Sequence, residues 1–270
     1  MTSTVATLPA NLRVTQLRVV RSEWTKLWTV RSTRWSLLVA TVLTIGLPAL
    51  ASAVISSHWG SRSPGDQITF NPLDPTLAGA IVATLPIGVL GVLVMTGEYS
   101  TGMIRASLSA VPKRLPVLWA KAIVFGAVTF ALMLPSVLIA FFVCQAILSK
   151  HDASYAWSHP GVARAVIGAA LFLTVSAVLT LGLGTIVRNT AGGIAAFAAL
   201  FFVIPPLMNV LPKSWNDAIS PYLPGNAGGA ITQLTHGSDS LAPWPGFAVF
   251  VAWAAVSLAI AAFVLVRRDA

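Results

Sequence analysis

Gly97-Glu98-Tyr99-Ser100-Thr101-Gly102-Met103-Ile104-Arg105-Ala106-Ser107-Leu108-Ser109-Ala110-Val111-Pro112-Lys113-Arg114 is a charged island in an otherwise apolar sequence. It carries Glu98, Arg105, Lys113 and Arg114, and apolar runs flank it on both sides. Each run reaches the ~20 residues that a helix needs to cross the hydrocarbon core of a bilayer. The island is therefore read as the connection between two membrane spans.

The rest of the chain fits that reading. Of its 270 residues 56% are hydrophobic and 9% are charged, against roughly 25% charged in soluble domains. So few charges cannot solvate the surface of a water-soluble fold. In lipid the backbone must satisfy its own hydrogen bonds, and the expected class is an all-α membrane protein. The net charge of +9 would suggest nucleic acid in a soluble chain. Here the cations flank apolar spans, where topology and lipid explain them, and no nucleic-acid partner is expected. Cys144 is the single cysteine, so no intrachain disulfide forms.

Six spans are predicted, over residues 35–55, 77–96, 119–147, 161–187, 191–210 and 246–266. Residues 35–270 thus form a six-helix domain, and residues 1–34 precede it as a polar tail and an amphipathic helix. Pro135 inside the third span predicts a tilt or kink. Arg188-Asn189-Thr190 alone separates spans four and five and forces a tight hairpin. Over residues 12–34, Leu17, Val20, Trp24, Leu27 and Trp28 fall at helical spacing among Arg13, Arg18, Arg21, Lys26, Arg31 and Arg34. Such a helix lies along the headgroups; the competing reading is a basic flank that only sets topology. Ala51-Ser52-Ala53 looks like a signal-peptidase site, but the apolar run before it exceeds the ~7–15 residues of a signal peptide.

The cations test the topology. Thirteen fall on the side of the two chain ends and the island, four (Arg62, Lys150, Arg164 and Lys213) on the other. The positive-inside rule then places both ends and the island in the cytoplasm. His58, His151, His159 and His236 share the opposite side and are read as solvated loop residues, with no metal site. Lys121 and Arg164 lie near span ends, where they are expected to snorkel; the apolar cores hold no ionisable residue. Ion-driven carriers usually keep such residues at depth. No G-x-x-x-x-G-K-[ST] phosphate loop occurs. Gly182-Leu183-Gly184 sits inside a span and reads as helix packing. Energy for any active transport would come from a partner.

Within the island, Ser100 or Thr101 is a candidate N-cap. Ile104, Leu108, Val111 and Leu115 form one apolar stripe, and Pro112 ends the helix. The expectation is a short helix over residues 101–110. Glu98, a lone carboxylate among cations, should pair with Arg105 or with a basic residue of the first segment. From these residues alone, an amphipathic loop on lipid and a docking helix fit equally.

Arg21-Ser22-Glu23-Trp24-Thr25-Lys26-Leu27, followed by Arg31-Ser32 and Trp35, resembles the opening of bacterial ABC-2 type transporter permeases. The segment from Gly97 to Arg105, with Pro112, Arg114 and Ala120-Lys121, is similar to that family's connection between its second and third helices. The resemblance implies an elbow helix that includes Arg21, Glu23, Trp24, Lys26, Leu27 and Trp28. It implies a coupling helix with Thr101, Gly102, Met103, Ile104, Arg105 and Leu108, docked on a separate nucleotide-binding ATPase subunit. ATP and Mg would sit on that partner; this chain would bind no cofactor and hold no catalytic residue. Two permeases, identical or different, would pair in the bacterial plasma membrane. Residues 221–234 would form an outer re-entrant region. The cargo would be an amphipathic or hydrophobic compound, and export is the direction that the resemblance implies. A membrane scaffold or signalling protein, and an ion-coupled carrier, are the alternatives.

Overall fold

The computed structural model describes residues 15–103, 115–235, 237 and 240–267. Its helices are α1 (Gln16–Thr29), α2 (Arg31–Ser57), α3 (Pro64–Ile68), α4 (Leu73–Ser100), α5 (Leu115–Leu148), α6 (Val162–Val187), α7 (Thr190–Ala198), α8 (Ile204–Met208), α9 (Lys213–Ile219), α10 (Pro224–Gly229) and α11 (Pro243–Arg267). Among the described residues there is no strand. Six helical stretches are long and apolar enough to cross a membrane: α2, α4, α5, α6, the continuous run from α7 to α8, and α11. The chain is an all-α, multi-pass membrane protein.

The most buried span is α6, which packs against α4, α5 and α11, while α2 lies across α4 and α5. Close approach comes from small residues. A Cβ on Gly184 of α6 would lie 2.8 Å from the Val92 carbonyl oxygen of α4. Gly193 of α7 meets the same Val92, and Gly182 faces Ser257 of α11, whose hydroxyl donates to the Leu179 carbonyl at 3.1 Å. Between helices that lipid cannot drive together by the hydrophobic effect, such contact supplies the attraction. Buried hydroxyls turn inward on their own helices: Thr44 donates to the Ala40 carbonyl, Thr96 to Val92 and Thr185 to Leu181.

Helix α5 runs unbroken through Pro135. The fifth span does change character. Ala199–Val203 is a π-helical turn between α7 and α8. Pro205 and Pro206 follow and offer no N–H to the turn before them, which lets the coil widen there. The hairpin before it closes as expected. Arg188 adopts a left-handed conformation, φ 57°, and Asn189 caps α7 by accepting from the Gly192 N–H at 2.9 Å.

At the opposite end, the predicted loop over residues 211–245 is largely folded. Here α10 and two 3-10 turns pack on α6 and α11, burying Ala227, Gly228, Ala230 and Ile231, and α9 leads into them. Arg164 does not snorkel. Its guanidinium donates to the Ile231 and Gln233 carbonyls, both at 2.8 Å, and ties this segment to α6.

The glycine contacts predict a measurable contrast. Gly184→Ala, pressed on backbone, should lower unfolding stability by about 1–3 kcal/mol, read as a lower thermal midpoint in detergent micelles. Gly46→Ala, whose Cβ meets nothing within 4 Å, should leave the midpoint unchanged or raise it. Equal effects would contradict the close packing of α6 on α4.

Candidate functional site

The helix α1 is amphipathic, but it turns a different face inward than the spacing of its large residues predicts. Val19, Glu23 and Leu27 are buried, at i, i+4 and i+8. Leu17, Trp24 and Trp28 are exposed, and the two indoles lie together at 5.9 Å. The rotation that exposes the tryptophans brings Glu23 against the bundle. The helix is also shorter than 12–34: it ends at Thr29, and extended Val30 turns the chain into α2. Arg31 and Arg34 therefore belong to the first turn of the first span.

Glu23 meets three other charges in a closed ring. Lys26 Nζ lies 2.7 Å from Glu23 Oε1 and 2.9 Å from Glu98 Oε1. Lys121 Nζ lies 2.6 Å from Glu23 Oε2 and 2.8 Å from Glu98 Oε1. Each ammonium bridges both carboxylates, so the ring alternates in sign and is neutral. Its members come from α1, the last turn of α4 and the second turn of α5. The Lys121 side chain is only 3% exposed and that of Lys26 28%. Around Lys26, burial pushes the ammonium down, but its hydrogen bonds and charge contacts with Glu23 and Glu98 outweigh this, and the net shift is upward from 10.5. A raised folded-state value means this stabilisation is fully present below the ordinary lysine range and is lost as pH rises through the folded value. Glu98 Oε2 is buried without a hydrogen-bond partner.

This geometry bears on three expectations. Glu98 does pair with a basic residue of the first segment, Lys26. The alternative partner Arg105 lies outside the described residues, as do Ile104 and Leu108. Lys121 is a buried bridge rather than a snorkelling residue; its ammonium is held between two carboxylates. Its signal was in the sequence, because Glu23 and Glu98 are unmatched acids on a cation-rich side. Thr101 does not open a helix: it closes α4, with its N–H and hydroxyl both donating to the Gly97 carbonyl. Gly102 follows with φ +70°, where glycine stops a helix at no steric cost. Met103 is exposed. The predicted helix over 101–110 thus loses its first two residues, and its remainder from Ile104 lies outside the described residues.

Arg188 also belongs to this end. Its guanidinium lies over the Tyr99 ring at 5.2 Å and donates to the Val264 carbonyl of α11 at 3.2 Å. Thr190 donates to Thr96 at 2.9 Å. At the far end, His151 is not a free solvated residue. It stacks on Trp59 at 5.4 Å and shares a hydrogen bond with Ser56 at 2.9 Å. His58 and His159 are exposed, and His236 lies outside the described residues. Among the described residues no three His, Cys, Asp or Glu side chains converge on one point.

A cleft of about 730 Å³ opens at that far end. Leu77 and Ile81 of α4, Phe172 of α6 and Phe201 and Phe202 of the π turn form its wall, and the α10 region covers it. Compared with known proteins, the chain matches no protein-family model and no curated sequence.

Removing Lys121 leaves two buried carboxylates to share Lys26 alone, one negative charge in excess. Lys121→Met should cost about 3–5 kcal/mol, measured by thermal or denaturant unfolding in micelles. Adding Glu98→Gln to it should recover part of the loss, since the excess charge is then gone. Lys26→Met should cost clearly less because water reaches that site. A larger loss at Lys26 than at Lys121 would refute the ring as the organising contact.

Proposed function

We propose that the chain is the membrane permease subunit of an ATP-driven exporter of the ABC-2 type, powered by a separate ATPase subunit. The observation that carries this reading is the charge ring, which fastens α1 to the two helices leading into and out of the 97–114 connection. A partner that displaces this connection on the cytoplasmic side would pull on Glu98 and Lys121 together. The ring would pass that movement to α1, whose tryptophans sit at the lipid headgroups. In this scheme Thr101, Gly102 and Met103, with Ile104, Arg105 and Leu108, form the docking element. ATP and Mg bind the partner, and a second permease completes the pathway in a bacterial plasma membrane. Six apolar spans are consistent with such a subunit and would suit other membrane proteins equally well, so the test must involve the ATPase.

Arg105→Glu puts a negative charge at the proposed dock. In proteoliposomes holding the chain and its ATPase, the substitution should cut permease-stimulated hydrolysis about fivefold or more, the scale of ordinary inter-site coupling, and weaken co-purification. Unchanged hydrolysis and assembly would overturn the coupling role. Transport that persists without ATP and stops when ion gradients collapse would instead identify a secondary carrier.

A further inference from the structure

Among the described residues that line the cleft at the loop end, one carries a charge, Asp74. Asp74 stands exposed in the first turn of α4, and Asn71 donates to its Oδ1 at 2.8 Å. It forms no ion pair among the described residues. The described arginines and lysines of this end do not answer it. Arg164 is committed to the Ile231 and Gln233 carbonyls, Arg62 lies over the Trp59 and Phe70 rings, and neither Lys150 nor Lys213 lines the cleft. The N-terminus of α4 contributes roughly half a positive charge, less than the full negative charge of the carboxylate. The mouth therefore favours a cation.

Beyond the mouth the α4 wall is apolar at Leu77, Ala80 and Ile81. Two helical turns along α4 from Asp74, about 10 Å further on, Ile81 is 62% exposed. Opposite it stand Phe201 and Phe202 of the π turn, a geometry that recurs at functional positions. Their rings, with Phe172, present both apolar area and faces that attract cations. The volume matches the ~300–1,000 Å³ of sites for drug-sized ligands.

We propose that this cleft binds a drug-sized organic ammonium amphiphile, its cationic head at Asp74 and its apolar body along Leu77, Ile81 and Phe202. The assignment names the cargo class of the exporter and rests on that reading for the transport step alone; binding does not depend on it. A phosphocholine lipid fits less well, because its phosphate would stand next to the Asp74 carboxylate.

The test is photolabelling of the purified chain in nanodiscs, without any ATPase. Four diazirine probes share one alkyl body and carry a trimethylammonium, a neutral glycol, a sulfonate or a phosphocholine head. Peptides from residues 72–85 and 199–204 should be labelled about fivefold more by the ammonium than by the glycol probe, the upper range for one exposed ion pair, and least by the sulfonate. Asp74→Asn should remove the difference between ammonium and glycol, and Asp74→Lys should favour the sulfonate. Ile81→Trp should reduce labelling by all four. Thermal midpoints within a degree or so of the parent would show that the variants fold, as expected for an exposed carboxylate. Equal labelling by ammonium and glycol, no response to Asp74→Asn, or phosphocholine labelling as strong as ammonium would each overturn the proposal. Labelling as expected in a protein that shows no ATP-dependent transport would overturn the exporter reading and leave the cleft assignment standing.

Discussion

Withdrawing two carboxylates and the Lys121 ammonium from water is costly, several kcal/mol for each ion, while Lys26 keeps part of its hydration. The arrangement of Glu23, Lys26, Glu98 and Lys121 offsets this by giving every charge an opposite neighbour on either side along the ring. Such a closed figure tolerates little displacement, because moving one member weakens two contacts at once. It therefore sets where α1 lies, where α4 ends and where α5 begins. The remaining helices inherit their positions from those three, through the small-residue contacts that hold α6 on α4 and α11 on α6.

The two ends of the bundle are built on different principles. The end with the ring is held by charge and by Arg188, whose guanidinium joins the hairpin to both Tyr99 and α11. The opposite end is held by backbone carbonyls and aromatic stacking: Arg164 on Ile231 and Gln233, Trp253 on the Tyr222 carbonyl, His151 on Trp59. Fixed charge pairs at one end and a polar-rimmed cleft at the other give the molecule a direction that its nearly uniform apolar middle lacks.

Much of this was legible in the residues. Unbroken apolar runs announce the spans, Arg188-Asn189-Thr190 leaves no room for anything but a hairpin, and Gly182 and Gly184 serve packing as expected. Glu98 counts as water-seeking in any hydropathy reading, yet Lys26 and Lys121, distant in sequence, neutralise it, so α4 runs past the predicted end at residue 96. The same long-range pairing hid the inward face of α1: from its own residues, burying Trp24 looks better than burying Glu23. The cleft was invisible because its walls join Leu77 to Phe202, and no local pattern records that meeting. Folding of residues 213–232 rests on short Pro-initiated turns whose stability comes from α6 and α11, not from their own helical periodicity.

The fifth span repays a last look. Of the six apolar helices it has the smallest share of its length enclosed by the rest of the protein, and its middle turn is π-helical rather than α-helical. Helix held by few tertiary contacts opens at a lower free energy than the core around it. In a bundle otherwise locked by glycine contacts, slow amide exchange and resistance to unfolding will be unevenly shared. The stretch from Ala199 to Met208 is then expected to loosen before the helices around it, and with it the part of the cleft wall that Phe201 and Phe202 form.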